Sequence, residues 1–570
     1  MGTLACHIES HSRVSDSQLS ENSFCADDEN HASSPCLPLS PPVSPHIDRR
    51  LSLVRRCGMP AAFPPAFEFL TGLSTWLHPN LFIRPATSPG DVHGSDDVTG
   101  VSIWSTAAID VGQTVACIPK RSVLSHRNSQ LHLPDWNRTL DLSPTLRLVL
   151  VVLYELHLGP QSIWSEYLAS LASATVPVGV LWTGKAKVWA RGTQVARVVR
   201  ELGLDHETIR QFYDGLPAKV LGAIGNPTRE AFFRAYSLVS SRAVSIPNSP
   251  PHFYRPQHRP LDTFLPQFMI DAFHTVALVP LFDLFNHSDT PHVHPEAEHW
   301  VCSTCGSFGF CSHDDQDEGY ELSEGASLSS PTSHPTAREE DETYDLVTVL
   351  HIDPSNGEQE IFNTYGDMSN AQLVTMYGFL IDGNQYDRIH FEVGLKKEQR
   401  REWEELISLW SELGHRHEEQ SHELIIPLPP TTNSTIGPNH STHEEFYIDA
   451  EARLSTPLWL ALLIQSEIPL PRSSRKKQKV FLQSFYDSLS ATAFSLGPLA
   501  KRNLGLFKSH VETIVRRIVG VQHRPESTSR DLFDLAETDG LEEMERLAIK
   551  SLALERGLLE TLVAKLADLV

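Results

Sequence analysis

The sequence predicts an α+β chain: a β-rich domain carrying a helical insertion, then an all-helical C-terminal domain, with a disordered tail in front. Three observations carry this. Short segments near residues 100–118 and 344–365 alternate with the period of half-buried strands. Apolar residues three and four apart take over from Pro144 to about residue 241. After about residue 385 strand signals fade and helical spacing dominates. The expected divisions are 1–60 for the tail, 61–384 for the mixed domain with its insertion at about 125–240, and 385–570 for the helical domain.

The elements follow in order. Residues 1 to about 60 are rich in Ser, Pro and His and have no hydrophobic period, so they cannot bury a core. Ser40-Pro41 and Ser44-Pro45 look like proline-directed phosphorylation sites, and Arg49-Arg50-Leu51-Ser52 like a basophilic kinase site; an unmodified tail is the equal alternative. Phe67 to Leu77 has helical spacing. Gly100 to Ser105 and Thr114 to Ile118 read as strands, with Pro119 ending the second. Ser143 is placed to cap a helix that has Pro144 at its first position. A loop is expected at Val176 to Gly179. Val276 to Leu284, broken by Pro280, reads as a buried strand. Residues 312–343 form a low-complexity acidic insert, expected to be a disordered loop. Tyr344 to His351 reads as a strand. A further strand is expected to end at Tyr365-Gly366, followed by a helix capped by Ser369. Gln399 to Glu412, Leu454 to Glu467, Lys479 to Phe494 and Leu541 to Val570 have helical spacing, and 413–445 reads as a loop.

Composition narrows the function classes. The length of 570 residues, 40% hydrophobic, allows two or three packed domains. A net charge of -24 disfavours direct nucleic-acid binding, which needs clustered Lys and Arg against phosphates, and suits a basic protein partner such as a histone or ribosomal protein. Eight cysteines in such a length are no disulfide scaffold and fit a reducing compartment. The most apolar stretch, Leu148 to Tyr154, falls far short of the roughly 20 residues of a membrane helix. Glu9, Asp16, Glu21 and Asp27 argue against a transit peptide, and Cys6 stands where a myristoylation signal needs Ser or Thr. The expected location is cytoplasm or nucleus, without a membrane partner.

Two segments carry the chemistry. In Leu278-Val-Pro-Leu-Phe-Asp-Leu-Phe-Asn-His-Ser288 an apolar run leads into a polar Asp283-x-x-Asn286-His287 turn. In Glu360-Ile-Phe-Asn-Thr-Tyr-Gly-Asp-Met-Ser-Asn-Ala-Gln-Leu-Val-Thr-Met-Tyr-Gly-Phe379, Tyr365 precedes a Gly turn and a helix that carries Tyr377. Each is common alone; an Asn-His pair or a Tyr-Gly is usually only a turn. In this order and with these flanks the two together resemble the SET-domain methyltransferases of the Rubisco large-subunit methyltransferase class, which includes fungal ribosomal-protein lysine methyltransferases. The resemblance extends to Gly112 to Leu124, to Glu155 and Trp164-Ser-Glu-Tyr-Leu168, and to Ser241-Arg242-Ala243. It extends also to Phe446 to Leu463 and Arg546 to Leu566, which are similar to the family's helical substrate-binding domain. It covers about residues 61–570 with insertions.

The resemblance implies an S-adenosylmethionine-dependent protein-lysine N-methyltransferase. Asn286 would bond the methionine end of the cofactor, the His287 backbone would read the adenine edge, and Asp283 would shape the turn and contact the cofactor. The backbone of Gly100, Ser102 and Ile103 would lie along it. Here the chain departs from the family's Gly-x-Gly, since Ser102 adds a side chain where close approach wants none. Tyr365 matches the catalytic tyrosine. The acceptor must be a neutral amine, and deprotonating a free lysine at pH 7 costs roughly 4.6 kcal/mol. An apolar channel and a nearby sulfonium both disfavour the ammonium, while a tyrosine oxygen and carbonyls near Ser241 and Arg242 orient the lone pair. Tyr377 would wall the channel, or is a core aromatic. Two alternatives stand beside lysine transfer. One is a protein-histidine methyltransferase; the apolar Val244 after Ser-Arg-Ala leans toward lysine. The other is a catalytically inactive protein-binding module, which Ser102 slightly favours and the presence of Asn286, His287 and Tyr365 disfavours.

A last constellation lies apart. Cys302, Cys305, Cys311 and His313 offer four zinc ligands, with His292 and His294 as alternatives. The competing reading is a reduced, loop-borne cysteine cluster.

Overall fold

A computed structural model describes residues 63–64, 67–85, 101–126, 128–131, 143–171, 175–247, 274–296, 343–355, 357–413, 446–471, 474–490 and 496–568. The expected tail, the acidic insert and the cysteine cluster at 302–313 lie outside them, as does Gly100.

The β-rich part consists of small antiparallel ladders. β1 (Trp76–Leu77), β4 (Thr114–Pro119), β9 (Thr343–Thr348) and β8 (Val293–Glu296) form one sheet in the order β1-β4-β9-β8. β2 (Leu81–Pro85), β3 (Val101–Ser105) and β10 (Gln359–Glu360) form a second, with β3 in the middle. β5 (Leu124–Ser125), β7 (His274–Leu278) and β6 (Val244–Pro247) form a third around β7. Leu77, Ile83, Ile103, Ile118, Leu346 and Ile361 from these strands and their ends meet in one core.

The insertion runs from Pro144–Leu158 to Arg229–Arg242. Ser143 caps the first helix as expected, its Oγ accepting the Leu146 N–H at 3.2 Å, and Pro144 sits in the first turn where a missing N–H costs nothing. Thr228 caps the last in the same way through Ala231. Their apolar faces close on each other through Val149, Val152, Phe232 and Tyr236.

The C-terminal part is helical. Lys397–Ser411, Thr456–Gln465, Arg475–Ser490 and Pro498–Val521 surround Trp459, Phe485 and Phe507. The final helix, Glu543–Ala567, faces two ways. Leu559, Leu562 and Leu566 enter that core, while Leu547, Ile549 and Leu552 join a second one. The second core includes Trp182, Trp189, Val195 and Val198 of the insertion, Ala371 and Val374 of the Asn370–Tyr377 helix, and Leu532 of Ser529–Ala536. No helix among the described residues is long and apolar enough to cross a membrane.

Four expectations are corrected in detail. The helix expected over Phe67 to Leu77 is only Phe69–Gly72; Ser74 turns the chain at φ +58° and the next residues pair as β1. The strand expected over Val276 to Leu284 ends at Leu278, because Pro280 has no N–H to donate and Leu281 turns the backbone at φ +75°. The strand expected to end at Tyr365 stops at Glu360. Phe362 and Asn363 beyond it bond to the Asn286–Val293 turn, which presents no straight neighbour for a ladder. The helical region also carries a two-residue ladder, β11 (Ile389–His390) with β12 (Tyr447–Ile448), too short to leave an alternation signal.

The second core also encloses charge. Glu555 is buried, accepting the Gln194 N–H at 2.6 Å and a bond from Gln522 Nε2 at 3.4 Å. Burial pushes its carboxyl up to about 8, and Asp387 adds to this against the opposing pull of Arg556. A carboxyl whose folded value is raised contributes stability that is complete below its unfolded value and is lost as pH rises through the folded one. Glu555→Gln should therefore stabilise the protein at pH 8 by on the order of 2–4 kcal/mol, with little effect at pH 4.5. Denaturant unfolding at the two pH values measures this; a gain independent of pH would contradict it.

Candidate active site

The first half of the site is a bend held from behind. Leu281 is fully buried with φ +75° and ψ -41°, a conformation that costs about 1–3 kcal/mol for a residue with a Cβ. A short 3₁₀ turn, Phe282–Leu284, follows and delivers Asn286 and His287. Asp283 pins it. Its Oδ2 accepts from the Tyr167 hydroxyl at 2.9 Å and from Arg242 Nη1 at 3.3 Å, and Arg242 Nη1 also donates to the Asp283 carbonyl at 3.0 Å. Burial raises the Asp283 carboxyl above its ordinary range, with Arg242 and Tyr167 pulling the other way. Asp283 Oδ1 is buried and has no partner among the described residues.

The second half is bonded to the first through the backbone. The Ile361 N–H donates to the Ile103 carbonyl at 2.8 Å, which ties the segment to β3. The Asn363 N–H donates to the Asn286 carbonyl at 2.8 Å, and the Ser288 N–H to the Asn363 carbonyl at 2.9 Å. This parallel bridge takes the groups on either side of His287. The N–H and carbonyl of His287 itself have no partner among the described residues. That leaves the backbone edge the sequence assigned to adenine open for a ligand.

The side chains then stack. The Tyr365 N–H donates to His287 Nδ1 at 3.0 Å, so the imidazole proton sits on Nε2. Burial pushes the His287 ring down to about 4, and it is neutral at pH 7. Its ring lies 5.0 Å from that of Tyr365 at 19°, and Tyr365 lies 4.7 Å from Tyr377 at 26°. Phe379 closes the group edge-on, 6.2 Å from the Tyr365 ring. The Tyr365 hydroxyl donates to the Phe285 carbonyl at 3.4 Å. Gly366, at φ +106°, turns the chain away from Tyr365 where a side chain would strain it.

Tyr377 is held by its helix. Ser369 and Gln372 form the capping box of Asn370–Tyr377. Asp387 accepts from the Asn370 N–H at 2.6 Å and from its Nδ2 at 2.8 Å, and burial raises that carboxyl to about 6. Across the helix, a Cβ on Gly179 would stand 2.9 Å from Thr375 Cα, so a glycine is required for this approach.

Ser102 answers its own anomaly. Its Oγ accepts from Trp104 Nε1 at 2.7 Å, which ties the hydroxyl along the strand toward its same-face neighbour. The Arg84 guanidinium lies 3.9 Å over the Trp104 ring and pairs with Glu358. Ile103 is fully buried, so only its backbone can meet a ligand.

The structure thus brings together Asp283, Asn286, His287, Arg242, Tyr365 and Tyr377, with Ser102 and Ile103 attached through β3. Ser241 is buried with its Oγ turned back to the Leu238 carbonyl. At that helix end the last carbonyls lack intrahelical donors. Cys302, Cys305, Cys311 and His313 are outside the described residues, among which no group of three or more His, Cys, Asp or Glu side chains can hold a metal. The alternative ligand His292 is engaged at both ring nitrogens, by the Phe362 N–H at 3.2 Å and Gln359 Nε2 at 2.9 Å. The sequence reading missed Tyr167, Glu360, Phe379 and Asp387. Phe379 was legible in the Tyr-Gly-Phe string; the other three had no local signal.

No family model matches the chain. It is 35% identical over 186 residues to ribosomal lysine N-methyltransferase 3 of Saccharomyces cerevisiae, covering 26% of this chain and 33% of the relative. It is 24% identical over 336 residues to the uncharacterized protein C16C6.01c of Schizosaccharomyces pombe, covering 56% of this chain and 55% of the relative. The chain therefore spans a third of the first relative's length and about half of the second's. Among solved structures it is similar to the SET domain of LSMT bound to lysine and AdoHcy, with a TM-score of 0.47 and 15% identity over 88% of this chain and 91% of that one. It is likewise similar to Rubisco LSMT bound to AdoMet, with a TM-score of 0.48 and 13% identity over 89% and 92%.

His287 gives a direct check on this geometry. A histidine whose folded value is depressed supplies stability that is full above about 6.5 and is lost as pH falls toward about 4. In a proton NMR titration one imidazole, assigned by its absence in His287→Gln, should stay neutral to below pH 5. A midpoint at 6 or above would place the ring in solvent instead.

Proposed function

We propose that this chain is an S-adenosylmethionine-dependent protein-lysine N-methyltransferase acting on a basic protein, such as a ribosomal protein. One observation carries the reading: Tyr365, stacked between His287 and Tyr377, holds its hydroxyl at the Phe285 carbonyl, directly before Asn286. The name of the Saccharomyces relative, a ribosomal lysine N-methyltransferase, supports both the acceptor and the substrate class.

The residues present fit the cofactor. Asn286 is a nearly buried amide, and its Oδ1 has no donor among the described residues, which suits an ammonium group. The unbonded N–H and carbonyl of His287 suit the edge of a purine. When bound, S-adenosylmethionine supplies an electrophilic methyl on a sulfonium.

The chain's own groups would prepare the nucleophile. The apolar walls of Tyr365, Tyr377 and Phe379 disfavour a charged ammonium and shift the acceptor toward its neutral form. The neutral His287 adds no positive charge that would repel the sulfonium. The Tyr365 oxygen, together with carbonyls at the end of the Arg229–Arg242 helix, orients the nitrogen lone pair along the line of displacement.

Tyr365→Phe should lower turnover about tenfold or more, since each 1.36 kcal/mol lost from the transition state is tenfold in rate. Affinity for S-adenosylmethionine, measured by calorimetry, should stay within about twofold, because the residue touches the acceptor. Full activity in the variant removes Tyr365 from this role. Transfer of labelled methyl to histidine peptides alone would overturn the lysine assignment, and no binding of S-adenosylmethionine would overturn the enzyme reading.

A further inference from the structure

Glu360 opens the second segment without a role read from the sequence, yet it touches the first. It stands in β10 opposite Trp104 of β3, three residues before Asn363. Its Oε1 lies 2.8 Å from Asn286 Nδ2. It also lines a cleft with His292, Asp353 and Phe362, so this flank of Asn286 opens toward solvent through a carboxylate.

The chemistry of the pair settles its orientation. A carboxylate only accepts hydrogen bonds, so the end of the amide that meets Glu360 is its NH2. Oδ1 must then point the other way. Flipping the amide would set Oδ1 against a negatively charged oxygen and lose a charge-assisted bond, the stronger kind. Asn286 alone has no such preference, because its two ends are nearly isosteric.

We propose that Glu360 is a positioning residue: it fixes which end of the Asn286 amide meets the amino-acid portion of the methyl donor, presenting Oδ1 to an ammonium group. The inference rests on the cofactor reading above and assigns a part of the recognition to a residue that the sequence reading left without a role. It applies only to the amino-acid end of the nucleoside. The adenine end, met by the His287 backbone, is left to groups that Glu360 does not touch.

Two ligands separate these ends. S-adenosylhomocysteine carries the amino acid; 5′-methylthioadenosine lacks it and keeps the nucleoside. By calorimetry, Glu360→Ala should raise the Kd for S-adenosylhomocysteine about tenfold while leaving that for 5′-methylthioadenosine within about twofold, the loss of one charge-assisted hydrogen bond's guidance. Glu360→Gln, whose amide oxygen can still accept from Nδ2, should restore most of the affinity. In an Asn286→Ala background, Glu360→Ala should have no further effect, as expected for residues that act as one unit. Equal weakening of both ligands would mark a general structural defect and overturn the proposal. So would an undiminished tenfold effect without Asn286, or unchanged binding of both ligands in Glu360→Ala. Failure of the unaltered protein to bind either ligand would instead overturn the cofactor reading on which the proposal rests.

Discussion

The site depends on two backbone hydrogen bonds, from Asn363 to Asn286 and from Ser288 to Asn363. They bring the segment that ends at Tyr365 alongside the turn that ends at His287. Everything else in the cluster is a consequence. Once the two chains are in register, the Tyr365 N–H reaches the His287 ring and the rings stack. The junction carries costs. Asn363 is fully buried, and both ends of its amide lack partners among the described residues. An orphaned buried polar group costs about 1–3 kcal/mol. Leu281 adds backbone strain on the opposite strand of the junction. Both are borne by the β-rich core on which they sit, and strain of this kind collects where geometry serves something other than stability.

Much of the fold could be read from short stretches because the signals are local. Ser143-Pro144 and Ser369 with Gln372 cap helices through atoms within three residues, so sequence spacing alone predicts them. The strands Thr114–Pro119 and Thr343–Thr348 carry β-branched and apolar residues enough to be seen. The Pro498–Val521 helix was overlooked although Leu504, Phe507, Val511 and Val515 repeat at helical intervals after a Gly-Pro start. Other features leave no local trace. No local pattern distinguishes Glu360 from a solvent-facing strand carboxylate, or Tyr167 from any core tyrosine of the insertion. Their partners, Asn286 and Asp283, come from distant parts of the chain. The same holds for Ser102, whose hydroxyl looks like an obstruction until Trp104 is seen to bind it.

The charge of the chain has two distinct settings. Among the described residues many charges stand in water, as in the Glu207 and Asp214 pairs with Arg210, and such exposed pairs contribute little to stability. A smaller set is enclosed. Asp387 holds the start of the helix that carries Tyr377, and it is an electrostatic neighbour of Glu555 on the final helix. Arg556 turns to the Gln522 side chain at 3.0 Å and the Ser527 carbonyl. Buried groups of this sort are costly unless satisfied, and here each has specific backbone or amide partners. They specify how the final helix seats against the helix that carries Tyr377.

The two-sided final helix has a consequence for synthesis. Leu547, Ile549 and Leu552 complete a core whose earliest members, Trp182, Trp189 and Val195, are made hundreds of residues before them. At roughly 5–20 residues per second, those tryptophans wait tens of seconds before their cover leaves the ribosome. Over that interval the nascent chain presents an unfilled apolar surface beside the helix that carries Tyr377. Until the final helix is made, that apolar surface has no cover from it.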